Sequence, residues 1–169
     1  MDLMYFLAKY GINKTTNFDL KDIANDLNLD CEIIMRDELK DISEMSSAQS
    51  STNVKYIIMN LETTKDKGSH WVSISKPHNV YFDPYGILPT KEVYDFLDSG
   101  SPTKSDRGSI YKDKLVYNKI QIQTEGELCG QLSMYVLYCL DNGLKFDYII
   151  ENMSEALSKT MYKEISLIM

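Results

Sequence analysis

The chain has few residues of the kinds that cross-link a protein or ligate metals. Its 169 residues include three cysteines, two histidines, four prolines and one tryptophan. An odd number of widely spaced cysteines argues against a disulfide framework, and the spacings C-x-x-C and H-x-x-x-H that are typical of zinc sites do not occur. We therefore predict free thiols, an intracellular protein, and chemistry that needs no metal and no organic cofactor.

Long apolar runs and an excess of basic charge are also absent. No apolar run reaches the length of about eighteen residues that a membrane span needs, and the N-terminus lacks the basic start of a secretory signal, so a soluble protein is predicted. The formal net charge is −7, whereas phosphate binding requires a concentrated basic surface, so nucleic acid is not an expected partner. The length and the 43% hydrophobic content predict one domain over residues 1–169.

The hydrophobic patterns predict an α+β domain with a central, mainly antiparallel sheet flanked by helices. Apolar segments bounded by turn residues indicate the strands, and capping residues indicate the helix starts. The predicted elements before the last two helices are a helix after a capping box at residues 16–19, an extended segment at 31–35, a loop at 43–53, strands at 54–61, 71–75 and 79–83, and a helix at 89–97.

The segment around Cys129 is the most informative, because a strand pattern there gives way to a helix pattern. Val116, Ile120 and Ile122 alternate as strand residues do, and apolar residues after the cysteine recur with helical spacing. Cys129 therefore lies at or near the N-terminus of a central helix. Free backbone N–H groups and the positive end of the helix dipole favour the thiolate there, and the thiolate is the reactive form of cysteine.

The chain also offers candidates for the other groups that a cysteine protease needs. His70 begins one predicted strand and Asp83 ends the next, so a hairpin would bring a base and its orienting carboxylate together. Gln123 precedes the cysteine by six residues, and its amide is suited to donate to an oxyanion beside a backbone N–H of the helix start. Gly126 between them allows a sharp turn. Gln121 lies on the same strand face as Gln123, and spacing alone does not choose between the two glutamines.

The remaining cysteines and the second histidine are assigned structural positions. Cys139 falls on the apolar stripe of its helix and Cys31 in an apolar segment, so both are predicted to pack as small hydrophobic residues. His78 lies in a predicted turn, where we expect an exposed side chain without a functional role. Glycine-rich phosphate loops and G-x-S-x-G motifs do not occur, so a nucleotide hydrolase and a serine hydrolase lack support.

Three motifs follow one another along the chain: Gly68-Ser-His70-Trp71, Tyr81-Phe-Asp83-Pro84-Tyr85-Gly86 and Gln123-Thr-Glu-Gly126-Glu-Leu-Cys129-Gly130. In this order they resemble the motifs of the adenovirus maturation protease and the SUMO-specific protease clan. The resemblance covers roughly residues 18–140, and the segment Met35-Arg-Asp-Glu-Leu39 is similar to one in the branch of virophages and large DNA transposons. It implies His70 as the base, Asp83 as its orienter, Gln123 as the oxyanion donor, Cys129 as the nucleophile, and Trp71, Gly126 and Gly130 as substrate-binding residues.

The resemblance implies a viral cysteine endopeptidase that cleaves capsid or core protein precursors during virion maturation, near small or glycine-containing residues. Such an enzyme would act in the virion and in the host cytoplasm or viral factory. A peptide activator is compatible with this resemblance, whereas the acidic chain gives no reason to expect activation by DNA. Two alternatives stay open. One is an isopeptidase that removes ubiquitin or SUMO-like modifiers from host proteins, and the other is a non-catalytic binding module that has retained the fold.

Overall fold

The chain forms a five-stranded sheet with helices packed on both faces. The computed structural model describes residues 1–47, 54–67, 69–98, 115–123 and 127–168. The α+β class predicted from the hydrophobic patterns is confirmed. The elements are α1 (Leu3–Tyr10), α2 (Asn17–Asp26), β1 (Cys31–Met35), a 3-10 helix (Arg36–Glu38), α3 (Leu39–Ser47), β2 (Tyr56–Asn60), β3 (Trp71–Ser75), β4 (Val80–Phe82), α4 (Lys91–Asp98), β5 (Val116–Tyr117), α5 (Cys129–Asp141) and α6 (Phe146–Ile168).

The strands lie in chain order across the sheet, from β1 to β5. The three central strands, β2 to β4, pair antiparallel. The two outer strands, β1 and β5, pair in parallel with their neighbours. Parallel neighbours need a crossover connection, and α3 and α4 lie in the two connections concerned. Because β3 and β4 form a hairpin, the start of β3 and the end of β4 lie side by side at the open end of that hairpin.

Two hydrophobic clusters, one on each face of the sheet, form the core. Alternate residues of a strand point to opposite faces. Tyr56 and Ile58 of β2 therefore pack with α1, α2, α5 and α6, whereas Ile57 and Met59 pack with α3 and α4. Every residue of β2 and of β3 is buried, so the centre of the sheet is covered on both sides.

The central helix α5 begins at Cys129, as the change of pattern predicts. Eleven of its thirteen residues are buried, which identifies it as a helix enclosed on all sides rather than an amphipathic surface helix. It ends before Asn142 and Gly143, and Gly143 has a φ of 81°, a left-handed conformation that glycine adopts at helix ends. Within the described ranges, no helix has the length and apolar character needed to cross a membrane.

Most of the predicted elements are confirmed, including the capping box that opens α2, but two expectations were wrong and one helix was not predicted. The predicted loop at residues 43–53 is helical as far as Ser47, because α3 starts at Leu39 and continues through the serines; residues 48–53 lie outside the described residues. A helix, α1, precedes α2 and is capped by Asp2. The strand predicted over residues 116–122 is only two residues long, because the backbone N–H groups of Ile122 and Gln123 donate to Pro84 instead of to a strand partner.

The connection between α1 and α2 packs directly against the start of α5. A Cβ atom at Gly130 would lie 2.0 Å from Thr15 Oγ1 and 3.2 Å from Leu20 Cδ2, and contacts this short force neighbouring atoms to move. Only glycine therefore fits at this position without displacing the α1–α2 connection.

We predict that Gly130→Ala lowers the free energy of unfolding by about 1–3 kcal/mol, because overpacking strains the core. Chemical denaturation measures this loss. Thr15→Ala removes the nearest atom, so the double variant should regain part of the lost stability. A Gly130→Ala protein as stable as the parent would contradict the close packing described here.

Candidate active site

Two of the predicted site residues meet at the open end of the β3–β4 hairpin, opposite its turn. His70 immediately precedes β3 and Asp83 immediately follows β4. His70 Nε2 lies 2.7 Å from Asp83 Oδ1. Because an ionised carboxylate only accepts hydrogen bonds, Nε2 is the donor of this bond and carries a proton.

The Asp83 carboxylate is completely buried. Besides the bond from His70, its Oδ1 accepts one from the backbone N–H of Tyr85 at 2.8 Å. The Tyr81 hydroxyl also interacts with this carboxylate, and burial together with the neighbouring Asp83 raises the pKa of Tyr81, so the hydroxyl keeps its proton. A buried charge is very costly unless donors surround it. These donors therefore determine where the carboxylate stays, and the carboxylate determines how the His70 ring is oriented.

Cys129 lies at the start of α5 and contacts the same histidine. Its thiol interacts with the His70 side chain and with the backbone N–H groups of Trp71 and Gly130. The second ring nitrogen of His70, Nδ1, is buried and makes no regular hydrogen bond within the described residues. His70 and Cys129 thus interact without a regular hydrogen bond at Nδ1, and such bonds in catalytic sites often form only when substrate is bound.

These contacts favour separated charges on the cysteine and the histidine. Burial alone raises the pKa of Cys129, but the contacts with His70 and the two backbone N–H groups outweigh it and lower that pKa. Burial alone lowers the pKa of His70, but the bonds to Asp83 and Cys129 raise it to about 9. The downward shift for Cys129 and the upward shift for His70 both favour the pair of a thiolate and an imidazolium over the neutral thiol and imidazole. The first is a strong nucleophile, and the second is able to protonate a leaving group.

Tyr85 is a site residue to which the sequence reasoning gave no separate role. Its ring is stacked on the His70 ring, with the centroids 4.5 Å apart and the planes at 26°. Its hydroxyl lies 3.4 Å from Gln123 Nε2. Tyr85 therefore connects the histidine to the predicted oxyanion donor and covers one face of the imidazole. The only sequence signal for this role was the position of Tyr85, two residues after Asp83 in the second motif.

The structure distinguishes between the two glutamines that spacing left equivalent. Gln123 is buried, with 2% exposure, and its backbone N–H donates to the Pro84 carbonyl at 2.9 Å. Gln121 is exposed, and its side-chain amide donates to the Gln123 carbonyl at 2.7 Å. Gln123 thus lies beside the site, whereas Gln121 supports its backbone. Donation by Gln123 to an oxyanion stays a prediction.

The predicted substrate-binding residues differ in their surroundings. Trp71 is almost fully buried, and its indole N–H donates to the Thr15 carbonyl at 3.2 Å. Gly130 is buried against Thr15, so packing alone accounts for a glycine there. Gly126 lies outside the described residues, as does Gly68 of the first motif. Contact of Trp71, Gly126 and Gly130 with substrate stays a prediction.

Side-chain hydrogen bonds hold the loop that leads into His70. Asn60 Oδ1 accepts from the backbone N–H groups of Glu62 and Ser69 at 3.0 and 3.2 Å. The Asp37 carboxylate accepts from the Thr64 backbone N–H and hydroxyl at 3.0 and 2.7 Å. Asp37 belongs to the segment Met35–Leu39, which was singled out above for its family resemblance, and this segment thus holds the loop in place. Sequence reasoning missed this role because the partners lie far apart along the chain.

The other two cysteines and the second histidine lie away from the site. Burial raises the pKa of both Cys31 and Cys139, so they persist as protonated thiols. His78 is exposed in the turn at the opposite end of the hairpin, where its Nδ1 lies 2.7 Å from Ser75 Oγ. Among the residues that the structure describes, no group of three or more histidine, cysteine or acidic side chains is placed to hold a metal ion.

Comparison with known proteins gives similarity in structure but no relative by sequence. No protein-family model matches the chain, and no curated protein matches it. The crystal structure of the selenomethionine ASFV pS273R protease, from African swine fever virus, is similar with a TM-score of 0.49 and 13% sequence identity. The similarity covers 86% of this chain and 66% of the viral protease, so the chain spans about two thirds of that protein's length. The site assignment therefore depends on the geometry described above.

The charge pair predicts how the reactivity of Cys129 depends on pH. We expect iodoacetamide to alkylate Cys129 with a midpoint below the ordinary pKa of a thiol, because His70 and the backbone N–H groups stabilise the thiolate. His70→Gln should raise this midpoint, since the variant loses the positive charge. Mass spectrometry of the Cys129 peptide across a pH series measures both midpoints.

His78→Gln is the matched control, because it removes the second histidine at the far end of the hairpin and should leave the midpoint unchanged. The same midpoint in His70→Gln as in the parent would show that His70 does not influence Cys129.

Proposed function

We propose that the protein is a viral cysteine endopeptidase that cleaves capsid or core protein precursors during virion maturation. The observation that carries the proposal is the contact of Cys129, at the start of a buried helix, with a histidine that a fully buried aspartate orients. These are the nucleophile, base and orienting group that thiol-dependent acyl transfer requires.

The reaction follows from the charges at the site. The Cys129 thiolate attacks the scissile carbonyl, and the oxyanion that forms accepts hydrogen bonds from the Cys129 backbone N–H and the Gln123 amide. His70 then protonates the leaving amine, which releases the first product and leaves an acyl-enzyme thioester. His70, now neutral, takes a proton from water as the water attacks the thioester, and the carboxylic product leaves with the cysteine again as the thiolate. Asp83 holds the ring throughout and stabilises the imidazolium.

Burial of the reacting groups supports a preference for small residues at the cleaved bond. Cys129 and His70 are only 6% and 8% exposed, and the adjacent Trp71 is 6% exposed. Because these groups are so little exposed, a segment with glycine or another small residue next to the scissile bond would approach the sulfur most easily. An extended loop or tail of a precursor protein meets this requirement.

Partners and location follow from the proposed substrate. Capsid or core precursors would be the binding partners, and the enzyme would act in the virion and in the host cytoplasm or viral factory. A peptide activator would have a clear physical task, which is to complete the alignment of His70 with Cys129. No metal or organic cofactor is required by the proposed steps.

Cleavage of a diverse peptide library, mapped by mass spectrometry under reducing conditions, tests the proposed activity. We expect cuts that the Cys129→Ala variant abolishes while its circular dichroism spectrum stays that of the parent. The residues flanking the cuts would then give the motif to look for in capsid and core precursors. Cys139→Ala is the matched control, because it changes a buried thiol remote from His70, and it should keep the cleavage.

The other outcomes of this experiment separate the alternatives. Cuts that persist in Cys129→Ala would refute the assignment of the nucleophile. A reactive Cys129 that cleaves a ubiquitin-like conjugate but no peptide would favour the isopeptidase. An inert Cys129 with no cleavage of either substrate would favour the non-catalytic binding module.

Asp83→Asn tests the orienting role of the carboxylate. The amide lacks the negative charge that holds Nε2 protonated, so we expect kcat to fall by about 10²- to 10⁴-fold while KM changes little. The pKa of His70, about 9 in the parent, should also fall. Since cleavage requires protonated His70, the decline of kcat at alkaline pH should begin at lower pH in this variant.

Asp22→Asn, on the exposed face of α2, is the matched control for the loss of one carboxylate. An unchanged kcat and an unchanged alkaline limb in Asp83→Asn would remove Asp83 from the site.

A further inference from the structure

A buried asparagine outside the three motifs is bonded to the backbone of the orienting aspartate. Asn118 follows β5 and is 3% exposed. Its Oδ1 accepts from the Asp83 backbone N–H at 3.0 Å, and its Nδ2 donates to the Asp83 carbonyl at 2.6 Å. The same Nδ2 group donates to the Ile120 carbonyl at 3.0 Å. One side chain thus bonds to both backbone polar groups of Asp83, and the carbonyl accepts a further bond from the Gly86 N–H at 2.8 Å.

The position of Asn118 in the sheet explains why a side chain does this. The strands β4 and β5 pair in parallel as far as Tyr81 and Tyr117, and the ladder then ends. Beyond that point, the Asn118 amide bonds to Asp83 in place of a neighbouring strand. The Asp83 backbone is therefore held at the point where regular pairing stops, and its carboxylate is directed at His70 from a backbone that has little freedom to move.

The same asparagine is joined to the segment that carries Gln123. Asn118 bonds to the Ile120 carbonyl, and the Pro84 carbonyl accepts from the backbone N–H groups of Ile122 and Gln123 at 2.8 and 2.9 Å. A Cβ atom at Gly86 would lie 2.9 Å from the Ile120 carbonyl oxygen, so the two segments touch. Residues 83–86 and 118–123 therefore form one bonded unit.

We propose that Asn118 is a positioning residue that fixes two parts of the site relative to each other. These parts are the carboxylate that orients His70 and the segment that presents Gln123. This inference rests on the proposed protease function, because it assigns Asn118 a role in that same site. Without the asparagine, the backbone N–H of Asp83 would be left buried and unpaired, while its C=O would keep only the bond from the Gly86 N–H, and a buried unpaired group rearranges to find a partner. The carboxylate would move away from Nε2, and the Gln123 segment would move with it.

The test is the pH dependence of the site in Asn118→Ala and in the milder Asn118→Ser, which keeps one hydroxyl. A weakened Asp83–His70 bond lowers the His70 pKa, so the alkaline limb of cleavage should move below that of the parent. The midpoint of Cys129 alkylation should rise, since a less basic histidine stabilises the thiolate less. We expect kcat to fall roughly 10- to 100-fold with little change in KM, the size of effect that small misplacements of catalytic groups produce.

Tyr56→Phe is the control for lost stability alone. It removes a hydrogen bond of 2.9 Å to Asp141 from a residue that pairs with Ser75, at the opposite end of β3 from His70. It should lower the melting temperature and leave the alkaline limb of cleavage and the midpoint of Cys129 alkylation unchanged. If Asn118→Ala does not fold, Asn118→Ser decides the test. The proposal would be overturned if a folded Asn118 variant had a lower melting temperature but the same alkaline limb of cleavage and the same alkylation midpoint as the parent.

A double-mutant cycle tests the connection to Gln123. If Asn118 positions this glutamine, Asn118→Ala should reduce kcat less in a Gln123→Ala background than in the parent, because part of its effect is already lost. Full additivity would overturn that half of the proposal. The alkylation midpoint needs no substrate, so an Asn118 effect on it is measurable even if no peptide is cleaved, and an inert Cys129 in the parent would instead count against the proposed function.

Discussion

The fully buried carboxylate of Asp83 is the constraint on which the rest of the site depends. A charge that has left water needs donors, and Asp83 Oδ1 has two of them, the His70 ring and the Tyr85 backbone N–H, with the Tyr81 hydroxyl beside the carboxylate. Asn118 in turn bonds to the Asp83 backbone. The contacts of this one residue therefore join the end of the hairpin, the turn after β4 and the segment after β5 in one arrangement. The imidazole orientation follows from this, and the raised pKa of His70 follows from the imidazole orientation.

The fold then brings the nucleophile to this end of the hairpin from the other side. Helix α5 lies buried along the sheet, and its first residue, Cys129, reaches the His70 ring where the backbone N–H groups of Trp71 and Gly130 also point. Gly130 allows the α1–α2 connection to pack against this helix start. The thiolate is thus stabilised by a histidine that is itself held by a buried aspartate, and the reacting atoms stay largely shielded from solvent.

The parts of the site that follow from local patterns were predictable, and those that follow from long-range bonds were not. A change of hydrophobic period places Cys129 at a helix start, and a short turn between two strands brings the ends with His70 and Asp83 together. The choice of Gln123 over Gln121 depends on a bond to the Pro84 carbonyl, and the role of Asn118 depends on a partner 35 residues away. Bonds between residues so far apart produce no periodic pattern in the sequence, so they could not be predicted from it. Helix α3 was missed because its serines are also typical of loops.

NMR of the His70 ring nitrogens, which reports their protonation state, decides whether the cysteine and histidine form the charged pair. The chain has only two histidines, so the signals are assignable from a His78→Gln sample. We expect both ring nitrogens of His70 to carry protons at neutral pH and to titrate with a midpoint of about 9, and we expect Cys129→Ala to lower this midpoint. A His70 ring that is neutral at neutral pH would contradict the charged cysteine–histidine–aspartate site on which the proposed function is built.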